Sequence, residues 1–237
     1  MTGSNSVCAS VAKLFVYPVK SMQGEARTSL ALDQRGCVDD RLFAVRDANG
    51  KLGSGKTTRR FRRVEGLIDC QAFSRGRGVM VRFTDGTELD DDDPTMDERL
   101  SAAFGQDVAL SREDEVSHFD AGAVHIVCQS EIEALASLMP DAQCVERRFR
   151  PNIVVSRAAE APLADWVGKT IQLGRDVVLR VDANTERCRM VSMEQPELCS
   201  APEILRTLVE QRDVAFGIYA EVLQGGSITL GEDVRFL

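Results

Sequence analysis

Thr170-Ile171-Gln172-Leu173-Gly174-Arg175-Asp176-Val177-Val178-Leu179-Arg180-Val181 holds two short apolar runs, Thr170–Leu173 and Val177–Val181, which read as strands only a few residues apart. The same rhythm extends in both directions. Lys13 to Val19, Arg41 to Arg46, Leu67 to Phe73, Val79 to Phe83, Val124 to Val127, Ile153 to Ser156, Ile218 to Val222 and Ser227 to Leu230 are further strand-like runs. Turn compositions separate several of them: Asp47-Ala48-Asn49-Gly50, Asp85-Gly86, Gly225-Gly226 and Gly231-Glu232. Many short, closely spaced strands with few helices predict a mainly β, barrel-like architecture rather than a parallel α/β sheet.

Three helices are predicted from capping boxes, in which a hydroxyl satisfies one orphan amide and a Glu satisfies another. They are Thr95-x-x-Glu98, Ser130-x-x-Glu133 and Ser200-x-x-Glu203. The second continues with Ile132, Leu135, Ala136 and Met139 on one face, and the third with Ile204, Leu205, Leu208 and Val209. The acidic run Asp90 to Asp93 and the polar segment Arg112 to Gly122 are candidate boundaries. The division is placed near residue 115, giving domains 1–115 and 116–237.

The chain has 237 residues, 43% of them hydrophobic, which suffices for one large core or two small ones. A formal net charge of -8 disfavours a general nucleic-acid binder and makes local clusters of arginine informative. Seven cysteines are dispersed without a C-x-x-C pair, and His118 and His125 are the only histidines, which argues against a zinc finger or an iron–sulfur cluster. Free thiols fit a reducing compartment. No apolar stretch reaches the length of a membrane span and no signal pattern opens the chain. The expectation is a soluble cytoplasmic protein with neither membrane nor nucleic acid as partner.

Gly50-Lys51-Leu52-Gly53-Ser54-Gly55-Lys56-Thr57 has the spacing of a phosphate-binding P-loop. Such a loop must open an amphipathic helix. The following residues, Thr58 to Gly66, are basic, short and ended by glycine, so a Gly-rich hairpin tip is the expected structure. Nucleotide hydrolysis that depends on Lys56 is the weaker rival.

Two arginine-rich segments carry the chemistry. Thr185-Glu186-Arg187-Cys188-Arg189 sets one cysteine in an arginine frame, downstream of Arg147-Arg148-Phe149-Arg150-Pro151-Asn152. A thiolate is a soft metal ligand and a nucleophile, and adjacent guanidinium groups favour the thiolate and bind oxyanions. Together they suggest a site for an anionic cofactor that presents a metal or a reactive sulfur.

Tyr17-Pro18-Val19-Lys20-Ser21, Arg41-Leu42-Phe43, Arg148-Phe149-Arg150-Pro151-Asn152-Ile153, Trp166-Val167-Gly168 and Arg187-Cys188, in this order, resemble the MOSC family. The order and spacing are most similar to its two-part subgroup with an N-terminal MOSC β-barrel domain. That subgroup includes the mitochondrial amidoxime-reducing component and bacterial reductases of N-hydroxylated compounds. The resemblance implies a two-part β-barrel fold with a few short helices, and the molybdenum cofactor (molybdopterin) bound between the parts. It also carries a family-level association with pyridoxal phosphate binding. It implies Cys188 as the molybdenum ligand and catalytic residue, with Lys20, Ser21, Arg41, Arg59, Arg150, Asn152 and Arg187 near the cofactor. Each has a plainer alternative: Cys188 a core thiol, Lys20 and Ser21 a strand end, Arg41 a strand edge, Arg59 a solvated rim, Arg150 an ion-pair partner, Asn152 a turn residue. Trp166 is expected to pack, and His125 to be structural. After the cysteine the chain reads Met190-Val191-Ser192-Met193-Glu194-Gln195-Pro196, where the reductases carry a Thr-rich, Asp-Pro-containing stretch.

The expected activity is reduction of a small N-hydroxylated substrate at its N–O bond, with electrons from an external donor (a flavin, haem or iron–sulfur reductase). The alternative is a non-catalytic cofactor carrier or sulfur-transfer protein with Cys188 as a persulfide.

Overall fold

The computed structural model describes residues 6–157 and 162–237. It is mainly β, and the chain divides into two compact units. The first gathers residues 1–15, 26–38 and 121–237, and the second residues 16–25 and 39–120.

The first unit is built on a closed barrel of seven strands. Ile153–Ser156, Val124–Cys128, Ala215–Gln224, Val177–Glu186, Thr170–Leu173, Asp233–Phe236 and Val7–Val16 follow one another around it, and Val7–Val16 pairs back onto Ile153–Ser156. Among the described strands of this barrel, only Val124–Cys128 and Ile153–Ser156 run parallel. Their connection contains the helix Gln129–Ser137, as a parallel crossover requires. The strand read as Val177 to Val181 continues to Glu186, and the one read as Ile218 to Val222 spans Ala215–Gln224. Irregular pairing between these two strands, after Val178, Val181 and Asn184, lets such long strands bend around a small barrel. Val127, Ile132, Leu135, Phe149, Val154, Val191, Ile204, Leu208 and Phe216 form one apolar cluster beneath the two long helices of this unit. Trp166 is buried edge-on against Phe236, as expected of a packing residue.

The second unit holds a four-stranded sheet in the order Val108–Arg112, Phe43–Asp47, Leu52–Ser54, Phe61–Arg63 and a three-stranded sheet in the order Glu88–Asp90, Gly78–Arg82, Gln71–Arg75. With the helix Met96–Phe104 they enclose Val19, Met22, Phe43, Val45, Leu67, Val79, Val81 and Leu100.

Several local expectations change. Leu67 to Phe73 is not one strand: Gly66 turns the chain at φ 84° and Leu67–Asp69 forms a 3₁₀ turn before the strand Gln71–Arg75. Leu67 and Ile68 are both buried, which the two-residue alternation of a strand does not allow on one apolar face. All three helices exist, yet none of the capping boxes forms. Thr95 is helical, and its hydroxyl donates to Asp93 at 2.6 Å. Ser130 lies inside its helix, which begins after Cys128. Ala201 precedes Pro202–Arg212, whose Leu205 amide donates to the distant Ser192 hydroxyl at 3.3 Å. The P-loop-like stretch opens no helix. Leu52–Ser54 is a strand within it, paired in parallel with Phe61–Arg63, so the nucleotide-binding conformation is absent. Its antiparallel partner is Phe43–Asp47, and Gly50, at φ 73°, turns that hairpin.

Candidate functional site

The sequence-derived residues fall into two clusters, one in each unit. In the barrel unit, the strand Val177–Glu186 ends as the Arg187 amide donates to the Val214 carbonyl at 2.8 Å. Cys188 then caps the 3₁₀ turn Arg189–Ser192 and is exposed. The other thiols divide: Cys37, Cys70, Cys128 and Cys144 are buried, Cys8 is half-buried, and Cys199 is exposed. Burial pushes the Cys70 and Cys144 thiols up to about 11, so both stay protonated and inert at neutral pH. Cys188 is thus open to a ligand on a turn whose backbone is tied down.

Arg187 is anchored on three sides. Its Nη2 donates to the Phe149 carbonyl at 2.7 Å, its Nη1 meets His125 Nε2 at 3.3 Å, and its guanidinium lies 5.5 Å from the Phe149 ring centroid. Phe149 is itself stacked on Phe216. Asn152, 1% exposed, ties strands together. Its Oδ1 accepts from the His125 amide at 3.1 Å and its Nδ2 donates to the Phe15 carbonyl at 3.5 Å. Arg150 is buried and left-handed, with φ 53°.

Sequence reasoning placed Arg148 in a basic cluster but gave it no role. Its side chain is fully buried and held by carbonyls alone: Nε donates to Gln143, Nη1 to Val191 and Met193, and Nη2 to Cys199. Burial lowers its pKa from the ordinary value, and the carbonyl dipoles take the place of a counter-ion. The guanidinium pins both ends of the loop that follows Cys188. Its neighbour in sequence, Arg147, is an ordinary surface ion-pair residue with Glu197.

In the second unit, Lys20 is 3% exposed. Its ammonium donates to the His118 carbonyl at 2.8 Å and to Asp120 Oδ1 at 2.9 Å. Burial lowers its pKa, opposed by Asp120 and reinforced by Arg41 and Arg60. Ser21, φ 67°, donates from Oγ to the Gly53 carbonyl at 3.2 Å. Arg41, φ 51°, pairs with the buried Asp40 and lies 5.0 Å from the Tyr17 ring. Arg59 is exposed, and its neighbour Arg60 reaches the site segment, donating from Nη2 to the carbonyls of Ser117 and Phe119. Lys20, Lys56 and Arg60 all lie within 5.4 Å of the Phe61 ring centroid. Lys20 and Arg41 are balanced by Asp120 and Asp40, whereas Arg60 is held on an aromatic face and on carbonyls, contacts that leave its charge available to an anion.

Ser21, Arg41 and Arg150 adopt the left-handed conformation that non-glycine residues rarely take. Such strain persists where surrounding contacts over-determine it, and it concentrates at functional sites. Nothing in the sequence signals it, because Ser and Arg are not residues of choice for that conformation. Among the described residues, no group of three or more His, Cys, Asp or Glu side chains could hold a metal ion, and no helix is long and apolar enough to cross a membrane.

Comparison with known proteins agrees with this architecture. A family model described as MOSC domain matches residues 113–235, and one described as MOSC N-terminal beta barrel domain matches residues 8–125. No curated protein matches the chain. Among solved structures, the YuaD protein from Bacillus subtilis is similar at a TM-score of 0.54 and 16% identity, covering 96% of this chain and 94% of that one. YiiM from Geobacillus stearothermophilus has a TM-score of 0.39 and 16% identity, covering 49% of this chain and 54% of its own. At such identity the first likeness speaks for the fold alone.

Proposed function

We propose that this chain, which belongs to the MOSC family and so to a family associated with the molybdenum cofactor, is an oxidoreductase that reduces N–O bonds in small N-hydroxylated substrates. The observation that carries the reading is the exposed Cys188 thiol on a pinned turn, next in sequence to a guanidinium held in place by Phe149 and His125.

The donor set fits the cofactor. One accessible thiolate cannot by itself retain a metal, whereas a metal delivered in its own sulfur chelate needs just such a single soft protein ligand. Cys188 would hold the metal. Arg187, the preceding residue, is held by Phe149 and His125 and contributes a fixed positive charge to this segment. In the second unit, Lys20, Ser21 and Arg41 are suited to anionic oxygens and Arg59 adds charge, as Arg150 does in the barrel unit. Asn152 contributes by bracing His125. When bound, the cofactor supplies a two-electron centre that takes oxygen from an N–O bond. The chain has no C-x-x-C cluster of its own, so electrons are proposed to come from a separate flavin, haem or iron–sulfur reductase.

The exposure of Cys188 also favours a second reading. As a sulfur carrier, its thiolate attacks the outer sulfur of a donor persulfide, releases the donor's thiolate, and passes the sulfur on.

The test is metal analysis and N-hydroxyamidine reduction with a chemically reduced donor, on protein made in a cofactor-producing host. Wild type is expected to carry molybdenum and turn over. Cys188→Ser is expected to stay folded and lose most of both. Equal metal in the two proteins would rule out ligation, and a metal-loaded wild type that never reduces the substrate would favour the carrier.

A further inference from the structure

His118 has no exposure, yet its carbonyl and one ring nitrogen touch Lys20 and Arg41 of the second-unit cluster. It is fully buried. Its amide donates to Glu113 Oε2 at 2.7 Å and its carbonyl accepts from the Lys20 ammonium. On the ring, Nε2 lies 3.1 Å from Arg46 Nη2 and Nδ1 lies 3.1 Å from the Arg41 carbonyl oxygen. These contacts fix the tautomer. A guanidinium only donates, so Nε2 must present its lone pair; a carbonyl only accepts, so Nδ1 must carry the proton. The imidazolium would turn a donor against the guanidinium. Accordingly, burial first and Arg46 next lower the His118 pKa to about 4, against the pull of Glu113.

Arg41 needs that bond. Its backbone is left-handed, and its amide is spent on the Tyr17 carbonyl at 2.8 Å. The bond from Nδ1–H to its carbonyl sets the direction in which the peptide, and hence the side chain, leaves the turn. The same device recurs around the other histidine. His125 places Nε2 toward Arg187 and Nδ1 3.4 Å from the carbonyl of Arg150, which is again left-handed.

We propose that His118 is a positioning residue, a neutral imidazole that fixes the Arg41 carbonyl through Nδ1–H and the Lys20 ammonium through its own carbonyl, so that a phosphate-type oxyanion meets both cations already placed. The inference rests on Lys20 and Arg41 being an anion site. Preorganisation of this kind raises affinity by removing the cost of ordering the site on binding.

The test is calorimetric titration of inorganic phosphate into the full chain made in a host lacking the cofactor. Wild type, Lys20→Ala, His118→Asn and His118→Gln are compared. The Asn amide can donate where Nδ1 does, and the Gln amide reaches only the position of Nε2. His118→Gln is expected to bind phosphate about 10-fold more weakly, the worth of one well-placed hydrogen bond, and His118→Asn to stay within about 3-fold of wild type. Equal loss in both variants would reduce His118 to packing and overturn the proposal. Wild-type affinity in both, with Lys20→Ala weakened, would overturn it while leaving the anion site standing. Binding that ignores Lys20→Ala would remove the anion site and the proposal with it. Should the variants not fold, nitrogen NMR of the wild-type ring decides: an Nδ1–H neutral tautomer at pH 7 is expected, and an Nε2–H tautomer or an imidazolium overturns it.

Discussion

His118 should make the second unit sensitive to acid in a way that can be measured. In the folded chain its pKa is lowered from 6.5 to about 4. Above pH 6.5 the ring is neutral in both folded and unfolded states and adds no pH dependence. Between 6.5 and 4 the unfolded chain takes up a proton that the folded chain refuses, so stability falls as pH falls. Below 4 both states bind it and the loss is complete. A shift of that size corresponds to about 3 kcal/mol in total. The groups facing the ring are Arg46, Arg41, Lys20 and Glu113, with Asp114 paired to Arg46; Glu113 and the hydrogen bond to the Arg41 backbone work against the shift. The assay is denaturant-dependent amide exchange of Phe43–Asp47, compared between wild type and His118→Asn. Between pH 7 and pH 4.5 the wild type should lose about 2–3 kcal/mol more than the variant. Proton NMR provides the direct check. With two histidines in the chain, the ring signal that survives in His125→Gln is that of His118, and it should not titrate above pH 5. A midpoint of 6 or higher would refute the buried, guanidinium-facing geometry on which the calculation stands.

Arg148→Met leaves the carbonyls of Gln143, Val191, Met193 and Cys199 without their donor. A cost of about 3 kcal/mol or more is expected, seen as a fall in Tm of roughly 6–12 °C, and a change below about 2 °C would show that water replaces the guanidinium at no penalty. Gly217 sits inside a barrel strand at φ 85°, where an added Cβ would lie 2.7 Å from His125 Nε2 and 2.8 Å from the Ile126 carbonyl oxygen. Gly217→Ala should cost about 2–4 kcal/mol by denaturant unfolding, from backbone strain and displacement of His125; wild-type stability would mean that strand can reshape.

The strands of the barrel unit were legible because their apolar residues form short runs, buried at every position in Val124–Cys128 and at the first three of Ile153–Ser156. Val124–Cys128, Ile153–Ser156 and Thr170–Leu173 begin where their apolar runs begin. The helix caps were not. Thr95, Ser130 and Ser200 have the right spacing, but the amides they were expected to satisfy are placed by the fold, and Asp93 takes Thr95's hydroxyl while Ser192 serves the third helix from another turn. The arginines show the same limit. Sequence marks Arg147, Arg148 and Arg150 as one basic cluster, but the chain turns them to three fates: a surface ion pair, a buried carbonyl clamp and a left-handed turn.

Sequence alone determined the kind of fold, the family, and which thiol to suspect, since apolar periodicity and the order of short motifs are properties of the chain itself. Tertiary structure decided which cations are held in place, that Cys188 and Cys199 are the thiols open to solvent, and that two buried imidazoles hold the carbonyls of left-handed arginines. Those properties depend on hydrogen-bond partners far apart in sequence, 98 residues between Lys20 and His118 and 137 between Phe15 and Asn152, and on burial, which no local pattern encodes.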